Sequence, residues 1–148
     1  MKKMTRVGIV GMGFYVPEKV LTNRDLEKMV DTSDEWIRTR TGIQERHVAD
    51  KGMGTSDLSA KAALEALKNA KLKPEDIDLL IVATATPDMP LPACACLVQE
   101  KIGATNAAAF DLAAACAGFV YALFTAEQFI KNGAYKTILV IGADLISS

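Results

Sequence analysis

The 148-residue chain is short of histidine, of cysteine pairs and of net charge, and each shortage excludes something. There is one histidine, His47, and three cysteines, Cys94, Cys96 and Cys116. Cys94 and Cys96 form a C-x-C, but on a helix i and i+2 point apart. With one remote histidine no four-ligand zinc set can be assembled, so no metal is expected. An odd cysteine count without a secretory signal excludes a disulfide framework and fits free thiols in a reducing cytoplasm. Seventeen basic residues face eighteen acidic ones, for a net charge of −1. Nothing in that balance marks a nucleic-acid or anionic-membrane partner. No apolar run is long enough to cross a bilayer. Lys2, Lys3 and Arg6 make the start mildly basic, but Gly8, Gly11 and Gly13 interrupt any signal-like apolar stretch. Short-period repeats and low-complexity segments are also missing.

What is present is hydrophobic residue, half the chain, with only 6% aromatic. That suits an alanine-rich α/β protein with a real core, one domain's worth of chain or a piece of a larger domain. RVGIVGM, from Arg6 to Met12, reads as a buried first strand, and FYVPEKVLTN as a loop in which Thr22 or Asn23 caps a short helix. DTSDEWIRTRTG reads as a helix with a capping box of Thr32 and Glu35, stopped by Gly42. GIQERHVADKGMGTS reads as a polar connection.

Thr55 to Ala70 carries the clearest helical period, with Leu58, Ala62, Ala63, Ala66, Leu67 and Ala70 on one stripe. LLIVA, from Leu79 to Ala83, is apolar and mostly branched, as a strand covered on both faces should be. A Pro-rich loop follows, then a helix over Ala93 to Ile102 and a strand over Ala107 to Leu112. A long helix over Ala117 to Asn132 and a strand over Thr137 to Asp144 complete the pattern. The alternation predicts α/β with a mainly parallel sheet and helices on both faces.

In such sheets the carboxyl ends of the strands carry the chemistry. FDLAAACAGFVYAL places Cys116 at such an end, at the start of a helix, among small residues. The free amides and positive dipole end there favour thiolate over thiol. The following helix begins with Phe119, Val120, Leu123 and Phe124, so the thiol is expected to point into an enclosed space. Buried cysteines often only fill space, and from position alone both roles stay open. Thr32, Trp36 and Arg40 stand at i, i+4, i+8. On one helical face, indole and guanidinium could sandwich a flat base; a core tryptophan beside a salt-bridged arginine is the other reading. His47 reads as a surface or loop residue, not a general base. GIVGMGFYVP fails as a dinucleotide fingerprint, because Val16 stands where a small residue is needed and Pro17 where the helix should begin.

The chain resembles β-ketoacyl-acyl-carrier-protein synthase III, a thiolase-like condensing enzyme of type II fatty acid synthesis. AFDLAAACAGFVYAL and VDTSDEWIRTRTGIQERHVA carry the resemblance, joined in order by GIVGMGFYVPEKVLTNRDLEKMV, LLIVATATPD and YKTILVIGAD. It implies that residues 1–148 are an N-terminal thiolase-like half-domain of a five-layered αβαβα fold, from a cytoplasmic homodimer. It implies that Cys116 takes an acyl group from acyl-coenzyme A, a substrate and not a cofactor, and that its N–H lines an oxyanion hole. Malonyl-acyl-carrier-protein would then decarboxylate and attack the thioester. Trp36 and Arg40 would hold adenine, with Thr32 nearby. Leu91 would stand in the acyl-pocket wall where the family usually has a phenylalanine that reaches across the dimer into the partner's pocket, a departure that leaves primer choice open. The family's catalytic His and Asn match no residue of this chain, so the chain alone is expected to be inactive. A non-catalytic coenzyme A-binding module and a related secondary-metabolite condensing enzyme are the alternatives.

Overall fold

Leu79–Ala83 is covered on every side, no residue of it more than 4% exposed. The computed structural model describes residues 6–146, and this strand, β3, is the middle of a three-stranded parallel sheet. It follows β1 (Val20–Thr22), α1 (Asn23–Leu26), α2 (Asp34–Thr41), β2 (Glu45–His47) and α3 (Thr55–Ala70). After it come α4 (Cys94–Ile102), β4 (Ala108–Leu112), α5 (Gly118–Asn132) and β5 (Ile138–Gly142). The sheet order is β4-β3-β5, with Ile81 opposite Phe110 on one side and Val140 on the other. Successive side chains alternate across a strand. Leu80 and Val82 therefore pack with Ala63 and Leu67 of α3 and Ala95, Val98 and Ile102 of α4. Leu79, Ile81 and Ala83 pack with Ala122 and Ala126 of α5. Helices thus cover both faces of a parallel sheet, the fold class expected of a thiolase-like half-domain.

The chain forms two compact units. One is residues 54–145 with the described residues up to 15; the other is residues 16–53 with Ile146. In the first, the long elements stand within a residue or two of their expected bounds, because apolar period and glycine stops agree. Gly103 and Gly133 both take left-handed conformations after their helices. Two expectations fail there. RVGIVGM is not a strand: it joins no ladder, and Ile9, Val10 and Met12 are more than 70% exposed. It lies against α3 instead, where a side chain on Gly11 would come within 2.6 Å of Ala70. Asn69 Nδ2 donates to the Met12 carbonyl and Phe14 N to Glu65 Oε2. The buried face of α3 is also rotated, to Thr55, Ser56, Ser59, Ala60, Ala63 and Leu67; Thr55 and Ser56 are buried with their hydroxyls bonded to Thr86 and Asp88, polar partners that an apolar stripe does not reveal.

In the second unit, the supposed loop and polar connection contain β1 and β2, paired antiparallel with Leu21 opposite Arg46. Their residues are too polar and the strands too short for an apolar alternation to reveal them. His47 accordingly lies in a strand, half-buried, with Nδ1 donating to the Pro17 carbonyl at 2.5 Å. Thr22 does cap α1, through a capping box with Asp25. The cap of α2 is Ser33, which accepts from Trp36 N, and not the Thr32–Glu35 box; Gly42 ends that helix in a left-handed conformation. Asn23 is 1% exposed and joins three elements. Its Nδ2 donates to Asp34 Oδ1 and to the Ile43 carbonyl, both at 2.8 Å, and its Oδ1 accepts from Arg46 Nη2 at 2.7 Å.

Asn23→Ala removes all three bonds and leaves their partly buried partners unsatisfied, a loss of about 1–3 kcal/mol. The only tryptophan, Trp36, stands in this unit and reports on it. Urea unfolding followed by Trp36 fluorescence should show an earlier midpoint in Asn23→Ala. An unmoved midpoint would remove Asn23 as the joint of this unit.

Candidate active site

The parallel strands all end on one side. There the Leu112 carbonyl accepts from Thr84 N and the Ala83 carbonyl from Ala143 N. Beyond β4 the chain turns sharply, through a single 3₁₀ turn at Ala115–Ala117, into the fifteen residues of α5. Ala115 holds a φ of +44°, a left-handed conformation that costs a residue with a Cβ energy and persists only where the surroundings impose it. The next residue is Cys116, so a strained strand-to-helix turn presents the thiol at the head of a helix, in a turn closed by Ala117 N donating to the Ala114 carbonyl and Gly118 N to the Ala115 carbonyl. Gly118 makes the geometry possible: a Cβ there would stand 3.2 Å from that of Ala83, so the helix start lies directly on β3. Cys116 is exposed, not enclosed as the apolar helix start suggested. Of Phe119, Val120, Leu123 and Phe124, which were to form the enclosure, Leu123 is half-buried and the other three are 45–64% exposed.

Beside this turn lies the loop from β3 to α4, and three aspartates hold it. Asp144 Oδ1 accepts from Thr84 Oγ1, Ala85 N and Thr86 Oγ1 at the loop's start. Asp88 accepts from Ser56 N at 2.9 Å and Ser56 Oγ at 2.8 Å, tying the loop to α3. Asp111 of β4 accepts from Cys94 N and Ala95 N, both at 2.7 Å, at the loop's end. Leu91 projects from the middle of the loop and is 84% exposed. Sequence reading missed all three aspartates, although a carboxylate inside the apolar run AAFDLAAAC was a visible signal that something there needed an acceptor.

Cys94 is buried and Cys96 half-buried. Cys94 fills the core as expected, and its thiol also donates to Asp88 Oδ2 at 3.4 Å. Burial, helped by the Asp88 carboxylate, pushes the Cys94 thiol up to about 12. Among the described residues no His, Cys, Asp and Glu side chains are grouped so as to hold a metal ion. No described helix is long and apolar enough to cross a membrane.

In the second unit, Trp36 is 54% exposed, which removes the core reading of this residue. The Arg40 guanidinium lies over its ring, 4.9 Å from the centroid, one helical turn on. Thr32 precedes the Ser33 cap and so stands outside the helix, not in line with the other two. Ile37, the one buried residue of the helix, anchors it, while the indole–guanidinium stack stays at the surface.

The family model for 3-oxoacyl-[acyl-carrier-protein] synthase III matches residues 110–148, which include the Cys116 turn. The chain is 63% identical over 140 residues to the β-ketoacyl-[acyl-carrier-protein] synthase III of Geobacillus kaustophilus, covering 95% of this chain and 45% of that protein. It superposes on the crystal structure of 3-oxoacyl-[acyl-carrier-protein] synthase III from Aquifex aeolicus with a TM-score of 0.90 and 54% identity, over 93% of this chain and 44% of that one. The priming β-ketosynthase of the R1128 polyketide pathway gives the same TM-score at 33% identity, over 96% and 44%. The chain thus spans under half the length of these relatives.

The three thiols should separate by reactivity. At pH 8 iodoacetamide should modify Cys116 first and Cys96 more slowly, leaving Cys94 untouched until the protein unfolds. Peptide mass mapping against time reads the order. Because the folded Cys94 titrates near 12 and the unfolded thiol near 9, its contribution to stability is full below 9 and is lost as pH rises from there to 12. Early labelling of Cys94 in the folded protein would contradict its place in the core.

Proposed function

From the premise that the chain matches the β-ketoacyl-[acyl-carrier-protein] synthase III family, we propose that Cys116 is the nucleophile of a condensing enzyme that loads an acyl group from acyl-coenzyme A. The observation that carries this is the exposed thiol on a strained turn at the head of a fifteen-residue helix. The Cys116 sulfur attacks the thioester carbonyl as thiolate, its proton having gone to solvent or a base. A tetrahedral oxyanion forms, and in this reading the Cys116 N–H donates to it. The carbon–sulfur bond to coenzyme A breaks, coenzyme A leaves as thiolate, and the acyl group stays on Cys116. In the second step malonyl-acyl-carrier-protein loses carbon dioxide. The resulting carbanion attacks the Cys116 thioester, and the new carbon–carbon bond releases the cysteine sulfur.

That second step builds charge on the malonyl thioester oxygen, which needs donors in place beforehand. The one histidine of these residues lies in β2, bonded to Pro17. These 148 residues therefore account for acyl loading and not for carbanion stabilisation. In the same reading the exposed Trp36–Arg40 stack takes the adenine of coenzyme A, with Thr32 nearby. The base would rest on the indole face or part the two side chains. Leu91 forms part of the acyl-pocket wall, and the working protein is a cytoplasmic homodimer. The likeness to a polyketide priming ketosynthase favours a second reading, a condensing enzyme of secondary metabolism. The two share the Cys116 chemistry and differ in primer.

Incubation of the native protein that carries this chain with acetyl-coenzyme A should add one acetyl mass at Cys116. Cys116→Ala should abolish it, and Cys96→Ala should not. Label elsewhere, or none, would overturn the nucleophile assignment and leave a coenzyme A-binding module.

Trp36→Ala should weaken coenzyme A binding by about 1–3 kcal/mol, the worth of a base–aromatic stack. Calorimetric titration reads it. Equal affinity in the variant would free the Trp36–Arg40 stack from any part in binding.

A further inference from the structure

Two strand neighbours at the reactive edge receive consecutive residues of α5. Ala83 and Gly142 stand opposite each other at the ends of β3 and β5. Gly118, the first residue of α5, lies on Ala83, where a Cβ on the glycine would stand 3.2 Å from that of the alanine. Phe119, the second, lies on Gly142. A Cβ on Gly142 would stand 3.0 Å from Phe119 Cδ2, 3.1 Å from its Cβ and 3.3 Å from its Cγ. Carbon atoms in contact settle at about 3.5–4.0 Å. Turning the phenylalanine about χ1 would carry Cδ2 and Cγ away, but its Cβ moves only with the backbone of α5. The strand end is held. Just beyond Gly142, Ala143 N donates to the Ala83 carbonyl at 3.1 Å, and Asp144 Oδ1 accepts from Ala85 N at 2.8 Å. Relief from a methyl on Gly142 therefore comes at the head of α5, which is continuous with the hydrogen-bonded turn of Cys116, three residues before Phe119.

We infer that Gly142 and its strand neighbour Ala83 are positioning residues for the nucleophile: their small size lets Phe119 and Gly118 rest on the strand ends and so sets the height of the Cys116 turn above the sheet. Attack on a thioester carbonyl needs the sulfur aligned with the carbon while a donor meets the oxyanion, and a misplacement of about 1 Å costs such a reaction about 10²-fold. Iodoacetamide is less demanding, because the thiolate displaces iodide directly at carbon and no oxyanion forms. A methyl on the seat thus slows acylation without slowing alkylation to match. The inference rests on the reading of Cys116 as the acyl acceptor.

The test follows two rates at Cys116 by mass, in the native protein that carries this chain: single-turnover acetylation by saturating acetyl-coenzyme A, and alkylation by iodoacetamide. Gly142→Ala should slow acetylation about tenfold or more while alkylation stays within about twofold. Phe119→Gly removes both the ring and the Cβ that the methyl would meet, so it supplies the second background of a double-mutant cycle. In that background Gly142→Ala should change acetylation by less than about twofold. An equal loss in both backgrounds would overturn the inference, because the methyl would then act elsewhere than through Phe119. So would an unchanged acetylation rate in folded Gly142→Ala, or an equal fall in both rates, which marks general damage. If Gly142→Ala does not fold, Gly118→Ala raises the same helix head from the other half of the seat. It should slow acetylation, and Ala83→Gly, by removing the methyl it meets, should restore the rate. A rate left low in that pair would overturn the inference. Failure of both single variants to fold would do so too, because the seat would then serve the fold and not the turn. Absence of acetylation in the unaltered protein is a separate result. It refutes the reading of Cys116 before any variant is made.

Discussion

The first unit depends on aspartates that supply helix caps from a distance. Both α3 and α4 begin without a capping side chain, at Gly54 and Ala93. Unpaired amides at a helix start are costly to bury, and both starts are buried. Asp88 serves Ser56 of α3, and Asp111 serves Cys94 and Ala95 of α4. Gly54 has no side chain for a reason that follows from this: a Cβ there would collide with the Asp88 carboxylate. Lys101 of α4 closes the arrangement by donating to Ser56 Oγ and Asp57 Oδ1, so the two helices on one face of the sheet share a polar network as well as an apolar core.

The same constraint shapes the reactive edge. Because each cap is an aspartate on a strand or loop at the carboxyl side of the sheet, the loop after β3 cannot move independently of β4 and β5. The strain at Ala115 is held against this rigid edge. Gly118 on Ala83 below and Gly142 on Phe119 beside it leave the chain no relaxed path from β4 into α5. On this same face, Phe110, Phe129 and Tyr135 meet edge to face, with ring centroids 6.5 and 5.5 Å apart, and fix the far end of α5. The helix is thus anchored at both ends of its inner side, while Phe119, Val120, Tyr121 and Phe124 keep an apolar outer side exposed.

The second unit is organised around one buried amide and not around an apolar core. Asn23 bonds α1 to α2 and to β2, and Asp34, one of its partners, also pairs with Arg38 at 3.5 Å. Arg40, two residues on, lies over the indole of Trp36. The exposure of the stack follows from the pattern of α2, in which Ile37 alone turns inward.

Sequence by itself determined the elements of the first unit, from Thr55–Ala70 onward, because there the apolar period, branched strands and glycine stops are local signals that agree. It also placed Cys116 at a strand-to-helix junction and Trp36 and Arg40 one turn apart, since both follow from spacing along the chain. Tertiary structure alone decided what depends on partners far away in sequence. RVGIVGM has a strand's composition, but a strand exists only where another pairs with it, and among the described residues none does. The β1–β2 pair has the partner without the composition. The exposure of Cys116, the seating of Gly54 against Asp88 and the capping of α4 by Asp111, sixteen and seventeen residues away, all rest on contacts between segments. A single window of sequence does not contain them.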